Sequence, residues 1–373
     1  MIHICNIAWI NSEKNDESTR IVMFSIILHR NEFIIIVLAV LVIMTFMVCF
    51  YMDALKKQKR CYEFHYNYPL NDVKYIVNQI IQDKGMTSSR PINNMYNQYT
   101  TIVSVTCPDD IELVILVKSF TGHFDQRQAI RSTWGKCHEG NVRVVFLLGY
   151  SAELTEHTRN EYAEHKDIVQ GSFTDEYRNN IYKTLMAYDW VVSNCSNSQF
   201  VFFVDDDYFV TIPNLIKFSR QNIQSRRDVM FGHKQCNRDP VRSKASKYRK
   251  WYISEDEYQP LTLPPFLSGG SVLTHFNVVQ KLRIAFPYMK PIFLDDVYVS
   301  LVAQKLGIHI LHDERFVNSD LRSMNFNFII SCHNYNSTEY LYEAWLTFKT
   351  PKLFERLFNS VIGKPRRDLC STR

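Results

Sequence analysis

The segment FVFFVDDD, residues 200–207, places three aspartates directly after five apolar residues. A short apolar run of this kind is typical of a buried strand in a parallel sheet. Because side chains alternate along a strand, Asp205 and Asp207 should point to one side and Asp206 to the other. An unpaired buried carboxylate is costly, so the cluster needs a cation or a solvated position. Two carboxylates on one side suit Mg²⁺ or Mn²⁺, which can bind a diphosphate in turn, and a solvent-exposed acidic turn is the alternative.

Apolar runs and helical patterns alternate on both sides of this segment. Residues 111–117 and 142–148 have the composition of buried strands. Helical patterns cover residues 127–134, 151–167 and 179–192. Strands that alternate with helices predict an α/β fold whose largely parallel sheet is covered on both faces. Such sheets bind ligands at the carboxyl ends of their strands, which is where the three aspartates lie.

A second acidic pair, Asp295–Asp296, follows the apolar residues 291–294. The pattern after it predicts a helix that Gly307 ends, so both acids lie in the first turn, where the helix dipole favours anions. A carboxylate that stays ionised there could act as a general base. Capping of the helix explains either aspartate equally well, and the pair taken alone favours capping.

Three weaker patterns could contribute to a binding site. Arg127 and Arg131 are four residues apart on one helical face, which suits bidentate contact with phosphate, although a solvated face has the same pattern. Two glycines in the predicted loop 264–270 would let the backbone approach a ligand closely or simply form a turn. His333 follows an apolar run and could complete a metal site with two carboxylates, although a lone histidine is more often structural.

Phe33–Met52 is a run of twenty residues without a charge. At 1.5 Å per residue, a helix of this length spans the roughly 30 Å hydrocarbon core of a bilayer. We predict a retained transmembrane helix, since the apolar core of a signal peptide usually has about 7–15 residues and lies nearer the N-terminus. Residues 1–32 would then form a tail, and residues 53–109, rich in Asn, Tyr, Gln and Lys, would form a stem.

The orientation of this span is left open by the residues themselves. A basic run follows it, and the positive-inside rule then favours a cytosolic C-terminal domain; the run consists of Lys56, Lys57, Lys59 and Arg60. Two glycosylation sequons, at Asn194 and Asn336, and seven cysteines after the span favour a lumenal domain instead. The same basic run is the strongest in a chain of net charge +5, and it is too short to predict nucleic-acid binding.

In their order and spacing, these pieces resemble the family 31 glycosyltransferases, which are β-1,3-galactosyl- and N-acetylglucosaminyltransferases. The resemblance covers residues 111–340, and it is specific as an ensemble although each piece alone is weak. The matching stretches are RQAIRSTWG (127–135), DEYRNNIYKTL (175–185), FVDDDYFV (203–210), KWYISEDEY (250–258), PPFLSGG (264–270) and DDVYVSLVAQKLGI (295–308).

The resemblance implies a GT-A-type, Rossmann-like catalytic domain over residues 110–350, followed by a C-terminal tail, residues 351–373. It also implies a type II signal-anchor in the Golgi membrane with a lumenal catalytic domain, which decides the orientation on family grounds. The implied reaction is inverting and needs Mn²⁺ or Mg²⁺. It moves the hexose of UDP-galactose or UDP-N-acetylglucosamine onto a glycan acceptor of a glycoprotein or glycolipid.

Roles for individual residues follow from motif position in that family. Asp296 would be the catalytic base, and Asp207 and His333 would bind the metal. The implied donor-binding residues are Arg127, Arg131, Asp175, Lys183, Asp205, Asp206, Gly269 and Gly270. Asn194 and Asn336 would be the glycosylation sites of a lumenal domain.

The chain departs from the family pattern at three places. Asp295 stands where the family usually has Glu, Ser300 where it has Gly, and the glycine segment is one residue shorter. These changes concern the shape of the acceptor site. An inactive lumenal relative that acts as a binding or chaperone-like protein is the alternative, and the intact Asp205, Asp207 and Asp296 argue against it. A membrane-tethered phosphotransferase is not supported, because the chain has no P-loop motif.

Overall fold

The computed structural model describes residues 33–48, 72–82, 87, 89–136, 141–319 and 326–349. The chain divides into two compact units, residues 1–60 and 61–373. In the first unit, residues 33–48 form helix α1, whose side chains are all exposed. No helix among the described residues is both long and apolar enough to cross a bilayer. The predicted tails, 1–32 and 351–373, residues 49–52 of the predicted span and the basic run at 56–60 lie outside the described residues.

The second unit is built from a mixed sheet with helices on both faces. Its helices are α2 (Val73–Gln82), α3 (Phe124–Ser132), α4 (Thr155–His165), α5 (Asn180–Asn194), α6 (Ile212–Asn222), α7 (Phe276–Ala285), α8 (Asp295–Lys305) and α9 (Thr338–Lys349). Its strands are β1 (Thr101–Val103), β2 (Leu113–Lys118), β3 (Val142–Tyr150), β4 (Ile168–Thr174), β5 (Phe200–Asp205), β6 (Tyr208–Val210), β7 (Val229–Gln235), β8 (Phe266–His275), β9 (His309–His312), β10 (Phe316–Val317) and β11 (Ser331–His333).

The main sheet has the strand order β1-β4-β3-β2-β5-β8-β7-β9 among the described residues. Strands β4, β3, β2 and β5 are parallel, as the alternation of strands and helices predicted. Strand β8 runs antiparallel to both of its neighbours, so the sheet is less uniformly parallel than expected. A second sheet, ordered β10-β11-β6, lies at the end of β5.

Both faces of the main sheet are buried, which confirms the predicted layering. Along β2, Leu113, Ile115 and Val117 belong to the core that contains residues of α3, α6 and α9. Val114 and Leu116 belong to the core that contains residues of α2, α5, α7 and α8. Side chains alternate between the two cores along the strand, and neither face of the strand is polar. This explains why the sequences of β2 and β5 are continuous apolar runs.

The packed unit begins before residue 110, where the sequence had placed the end of a stem. Helix α2 buries Val73, Ile76 and Val77 in the core shared with α7. Strand β1 pairs with β4, and a disulfide joins Cys107 to Cys195 at the end of α5. These elements are short and their surroundings are polar, so beyond a possible helix near residues 73–81 no periodic pattern marks them in the sequence.

Candidate active site

The carboxyl ends of β2 and β5 carry opposite charges at the same level of the sheet. Parallel pairing sets Lys118 opposite Asp205. The Lys118 ammonium lies 3.1 Å from an oxygen of Asp205 and 3.3 Å from an oxygen of Asp295, the first residue of α8. Burial opposes the charged ammonium, but these two carboxylates outweigh burial and raise the pKa of Lys118. One buried cation therefore links the end of the central strand to the start of α8.

Asp206 points away from Asp205, as strand alternation predicted. It follows β5 in a turn, and its carboxylate accepts a hydrogen bond from the Ser119 hydroxyl at 2.6 Å. The ring of His123 pairs with the same carboxylate oxygen at 2.9 Å, and this hydrogen bond raises the pKa of His123. The Gln126 side chain donates to the Asp206 carbonyl at 2.8 Å. These contacts make Asp206 a fixing point for the acidic turn.

Asp207 and His333 are brought together by the small sheet. Antiparallel pairing of β6 with β11 sets His333 opposite Tyr208, the residue after Asp207. The His333 Nε2 lies 3.1 Å from Asp207 Oδ2, and this hydrogen bond raises the pKa of the imidazole. The Tyr335 backbone N–H donates to the Asp207 carbonyl at 2.8 Å. The sequence placed both residues at a metal site, and the fold makes them neighbours.

The other oxygen of Asp207 fits a divalent cation. Asp207 Oδ1 is buried and has no hydrogen-bond partner among the described residues. A buried carboxylate oxygen left without a partner is unfavourable unless a cation or water meets it. Within the described ranges, no group of three or more His, Cys, Asp or Glu side chains could hold a metal. A hard cation bound by Asp207 and His333 would therefore complete its shell with water and substrate oxygens, as Mg²⁺ usually does.

The two aspartates at the start of α8 have opposite pKa shifts. Burial alone would raise the pKa of Asp295, but the Lys118 ammonium and hydrogen bonds such as that from the Thr184 hydroxyl, at 2.6 Å, hold it below the ordinary value. For Asp296, burial and then the charge of Asp295 raise the pKa to about 7. Asp295 is thus a fixed anion, whereas Asp296 can take up a proton near neutral pH. This asymmetry favours the general-base role over simple capping.

Gly269 and Gly270 lie in strand β8, and the prediction that they form a loop was wrong. A Cβ at position 269 would lie 3.0 Å from the Cβ of Asp296. A Cβ at position 270 would lie 2.6 Å from ring atoms of Tyr208. The glycines are needed because the strand passes closely between α8 and β6, so they bring the base near the acidic turn.

Arg127 is fully buried and uses all five of its N–H groups inside the protein. They donate to both Glu161 oxygens at 2.8 and 2.7 Å, the Ser119 hydroxyl at 3.1 Å, and the carbonyls of Phe120 at 2.7 Å and Thr121 at 3.0 Å. No N–H of Arg127 is left for a phosphate oxygen. The donor contact implied by family resemblance would therefore be indirect, through the 119–121 loop that Arg127 holds.

Arg131 is also paired inside the protein. Its guanidinium donates to both oxygens of Asp167 at 2.8 Å and lies 2.8 Å from Glu161. Burial opposes its charge, but the hydrogen bonds to Asp167 and Glu161 outweigh burial and raise the pKa of Arg131. Arg131 supports the same scaffold as Arg127.

Asp175 and Lys183 form a buried ion pair of 2.8 Å below the same loop. Asp175 also accepts hydrogen bonds from the Thr121 N–H and hydroxyl, at 2.8 and 2.6 Å, and from the Gly149 N–H at 3.0 Å. Lys183 donates to the Ser119 carbonyl at 2.7 Å. Burial would raise the pKa of Asp175, but Lys183 and these hydrogen bonds lower it. The pair ties the ends of β2, β3 and β4 together at the ligand-binding edge.

Comparison with known proteins decides the family. A family model described as Galactosyltransferase matches residues 125–314, about half of the chain. The β-1,3-galactosyltransferase brn of Drosophila melanogaster is 32% identical over 297 residues, which cover 76% of this chain and 86% of that protein. The chain belongs to the galactosyltransferase family. The motifs predicted this membership, and the enzyme is a β-1,3-glycosyltransferase of family 31.

Other relatives of this enzyme include proteins named for different sugars. Human β-1,3-galactosyltransferase 1 is 34% identical over 241 residues, 62% of this chain and 72% of that protein. A lactosylceramide 1,3-N-acetyl-β-D-glucosaminyltransferase A of Danio rerio is 32% identical over 213 residues, 53% of this chain and 55% of that protein. A solved structure of the galactosyltransferase LgtC with donor and acceptor sugar analogues covers 65% of this chain and 99% of that one. Its 10% identity and TM-score of 0.32 are too low for a functional comparison.

Two polar residues of the enzyme's site were not singled out from the sequence. Only the register of β2 with β5 points to Lys118. Residues 113–117 and 200–204 are apolar runs of equal length, and a lysine follows the first and an aspartate the second. Thr184 lies within α5, and nothing in the sequence pattern marks it as a partner of Asp295. The departure at Ser300 has a structural role, because its hydroxyl accepts a hydrogen bond from the Leu267 N–H of β8 at 3.0 Å.

The two sequons of the enzyme differ in accessibility. Asn336 is exposed in the segment before α9. Asn194 is the last residue of α5, is partly buried, and donates a hydrogen bond to the Trp190 carbonyl at 3.1 Å. The middle residue of its sequon, Cys195, is buried and disulfide-bonded. Asn336 is therefore the better acceptor of the two.

Substitution of Arg127 by lysine tests whether this residue supports the scaffold. Arg127→Lys keeps the charge but loses the fork of donors, so the free energy of unfolding should fall by about 3 kcal/mol, as when a buried ion-pair network is broken. Urea denaturation of the purified enzyme measures this change. Arg159→Lys, in an exposed pair with Glu156, is the control and should change stability by less than about 0.5 kcal/mol. Unchanged stability with weaker donor binding would instead make Arg127 a direct ligand.

Proposed function

We propose that this enzyme transfers galactose or N-acetylglucosamine from a UDP-sugar to a hydroxyl of a glycan acceptor, with inversion at the anomeric carbon. The observation that carries the proposal is the placement of Asp207 and Asp296 at one edge of the sheet. Asp207 has a buried oxygen without a described partner, and Asp296 has its pKa raised to about 7. The buried Asp207 oxygen suits a cation, and the Asp296 carboxylate suits a proton.

In the proposed reaction, the acceptor oxygen attacks the anomeric carbon from the face opposite UDP. Asp296 takes the proton of that hydroxyl as the new C–O bond forms. The bond between the anomeric carbon and the diphosphate oxygen breaks, and its electron pair leaves with UDP. A single displacement of this kind converts an α-linked donor into a β-linked product.

Asp207 and His333 would hold the Mn²⁺ or Mg²⁺ ion of the site. When bound, the ion supplies positive charge to the oxygens of the diphosphate leaving group. Lys118 keeps Asp295 ionised and fixed, so the negative charge beside Asp296 does not move during the reaction. Fixed charges of this kind need no reorganisation in the transition state.

We further propose that the enzyme is anchored in the Golgi membrane by residues 33–52, with its catalytic domain lumenal. The described part of that run, α1, is helical and uncharged. The Cys107–Cys195 disulfide supports the lumenal placement, because disulfides persist in oxidising compartments and are rare in the cytosol. Cys236 is disulfide-bonded as well. We give these bonds more weight than the basic run after the span, because the positive-inside rule is only a tendency.

Replacement of Asp207 tests the metal site. Asp207→Asn keeps the size of the side chain but removes the charge that would neutralise a divalent ion, so UDP affinity in Mn²⁺ should fall to the value that the parent enzyme shows with chelator. Calorimetric titration of UDP with and without Mn²⁺ measures this. An Asp207→Asn enzyme whose UDP affinity still responds fully to Mn²⁺ would refute the assignment.

Replacement of Asp296 separates catalysis from donor binding. Asp296→Asn should lower turnover by about 10²–10⁴-fold, because the amide cannot accept the acceptor proton, while UDP affinity stays within a few-fold of the parent. In the parent enzyme, kcat/KM should rise with pH through about 7 and level off above it, since Asp296 acts only after losing its proton. The Asp296→Asn enzyme should lose that rise.

Asp295→Asn is the matched control for Asp296→Asn. Its turnover should fall less, and its main effect should be lower stability, because Lys118 and Thr184 lose a charged partner. If the Asp295→Asn enzyme is inactive and the Asp296→Asn enzyme stays active, the assignment of Asp296 as the base is wrong. Full activity in both would mean that the pair only caps α8.

The lumenal placement predicts a glycan on Asn336. Treatment of the enzyme from a eukaryotic host with peptide-N-glycosidase should increase its mobility, and Asn336→Gln should abolish this shift. Asn194→Gln should leave the shift in place, since Asn194 is partly buried beside a disulfide. Absence of any shift, together with protease access to the catalytic domain from the cytosolic side, would exclude the proposed topology.

A further inference from the structure

The positive charges identified around the site are already bound to protein carboxylates. Each of them lies within ion-pair distance of an aspartate or glutamate; they are Lys118, Arg127, Arg131 and Lys183. A diphosphate would bring further negative charge to an edge that already carries Asp205, Asp207, Asp295 and Asp296. A cation at this edge that has no carboxylate partner would therefore stabilise a bound diphosphate.

Lys250 is such a cation. It lies in the short helix Arg249–Trp251, between β7 and β8, and its side chain is exposed. Its ammonium lies 4.7 Å from the centre of the Trp251 ring and 5.7 Å from that of Tyr177. No ion pair joins Lys250 to a carboxylate within the described part of the chain. Two aromatic faces hold the charge without neutralising it.

The neighbours of Lys250 place it between the two halves of the site. The Tyr177 ring lies beside Lys250, with its centre 5.7 Å from the ammonium. Burial raises the pKa of the Tyr177 phenol, and the carboxylates of Asp295 and Asp296 raise it further, so both aspartates of α8 act on Tyr177. On the other side, the charge of Lys250 acts on the ring of His333. The ammonium therefore acts on His333 of the metal-binding pair and lies beside a phenol on which both aspartates of α8 act.

Two arginines hold the segment that carries Lys250, Arg242 from within it and Arg178 from outside it. The guanidinium of Arg242 donates to three carbonyls of the same segment, those of Ile253, Tyr258 and Pro260. Arg178, the residue after Tyr177, binds Glu257 at 2.8 Å and lies 3.9 Å from the ring centre of Phe293. Because Phe293 is two residues before Asp295, the segment is braced against the start of α8.

We propose that Lys250 binds the diphosphate of the donor and stabilises the charge that stays on UDP when the bond to the anomeric carbon breaks. This inference rests on the proposed function. The bond electrons pass to the diphosphate oxygen, the acceptor oxygen takes their place on carbon, and the acceptor proton goes to Asp296. Lys250 neither gains nor loses a proton in this step.

Binding of UDP and of uridine tests the assignment, because only UDP carries the diphosphate. In the presence of Mn²⁺, Lys250→Ala should raise the dissociation constant of UDP about tenfold, as expected for loss of a charge-assisted contact. The dissociation constant of uridine should stay unchanged. Calorimetry for UDP and NMR titration for uridine, on the purified enzyme, give the two values.

Two further variants separate charge from local structure. Lys250→Arg should restore most of the UDP affinity, because it returns a cation to the same aromatic faces. Lys247→Ala is the matched control, since the Lys247 ammonium lies over the Tyr248 ring, 5.0 Å from its centre, in the same segment. Its UDP affinity should equal that of the parent enzyme.

Three outcomes would overturn the assignment. Unchanged UDP affinity in Lys250→Ala would make Lys250 a surface cation with no role in donor binding. Equal losses for UDP and uridine would mean that the segment positions the nucleoside and that Lys250 does not contact the diphosphate. An equal loss in Lys247→Ala would indicate a diffuse effect of charge. Failure of the parent enzyme to bind UDP at all would instead refute the proposed function, so the two failures are distinguishable.

Discussion

The site depends on one buried ammonium group. Lys118 stands between Asp205, at the end of the central strand, and Asp295, at the start of α8. Two carboxylates that share one ammonium would repel each other without it, and the cation between them links the sheet to the helix. The parallel register of β2 and β5 puts the cation there. Asp296 takes its position from the helix that this link fixes.

Polar groups of the site divide into those whose partners are complete and those whose partners are missing. Arg127, Asp175 and Asp206 are satisfied by the protein, and they hold the loop after β2 and the turn after β5. Asp207 Oδ1 lacks a partner among the described residues, and Asp296 has a raised pKa. Rigid, fully bonded supports beneath a few unsatisfied groups are what preorganised catalysis requires.

The sequence predicted those parts of the structure that follow from local periodicity. The apolar run before Asp205, the alternation of the three aspartates and the helix that starts at Asp295 all depend on residues close together in the chain. Lys118 depends on the register between two strands, which no single segment specifies. Arg127 was expected at the ligand because arginine suits phosphate, yet its buried environment, set by Glu161 and the 119–121 loop, is a property of the fold. Gly269 was predicted in a loop because the steric need for glycine comes from Asp296, which is distant in sequence.

The Cys107–Cys195 disulfide also bears on how the molecule can be produced. It closes 88 residues into a loop that contains β2, β3, β4 and α5, and therefore Lys118 and the Asp175–Lys183 pair. Crosslinks across loops of this length restrict the unfolded chain strongly. In a reducing bacterial cytosol the bond would not form, and half of the ligand-binding edge would fold without its covalent tie. Secretory or periplasmic expression is accordingly the route to material in which that edge is intact.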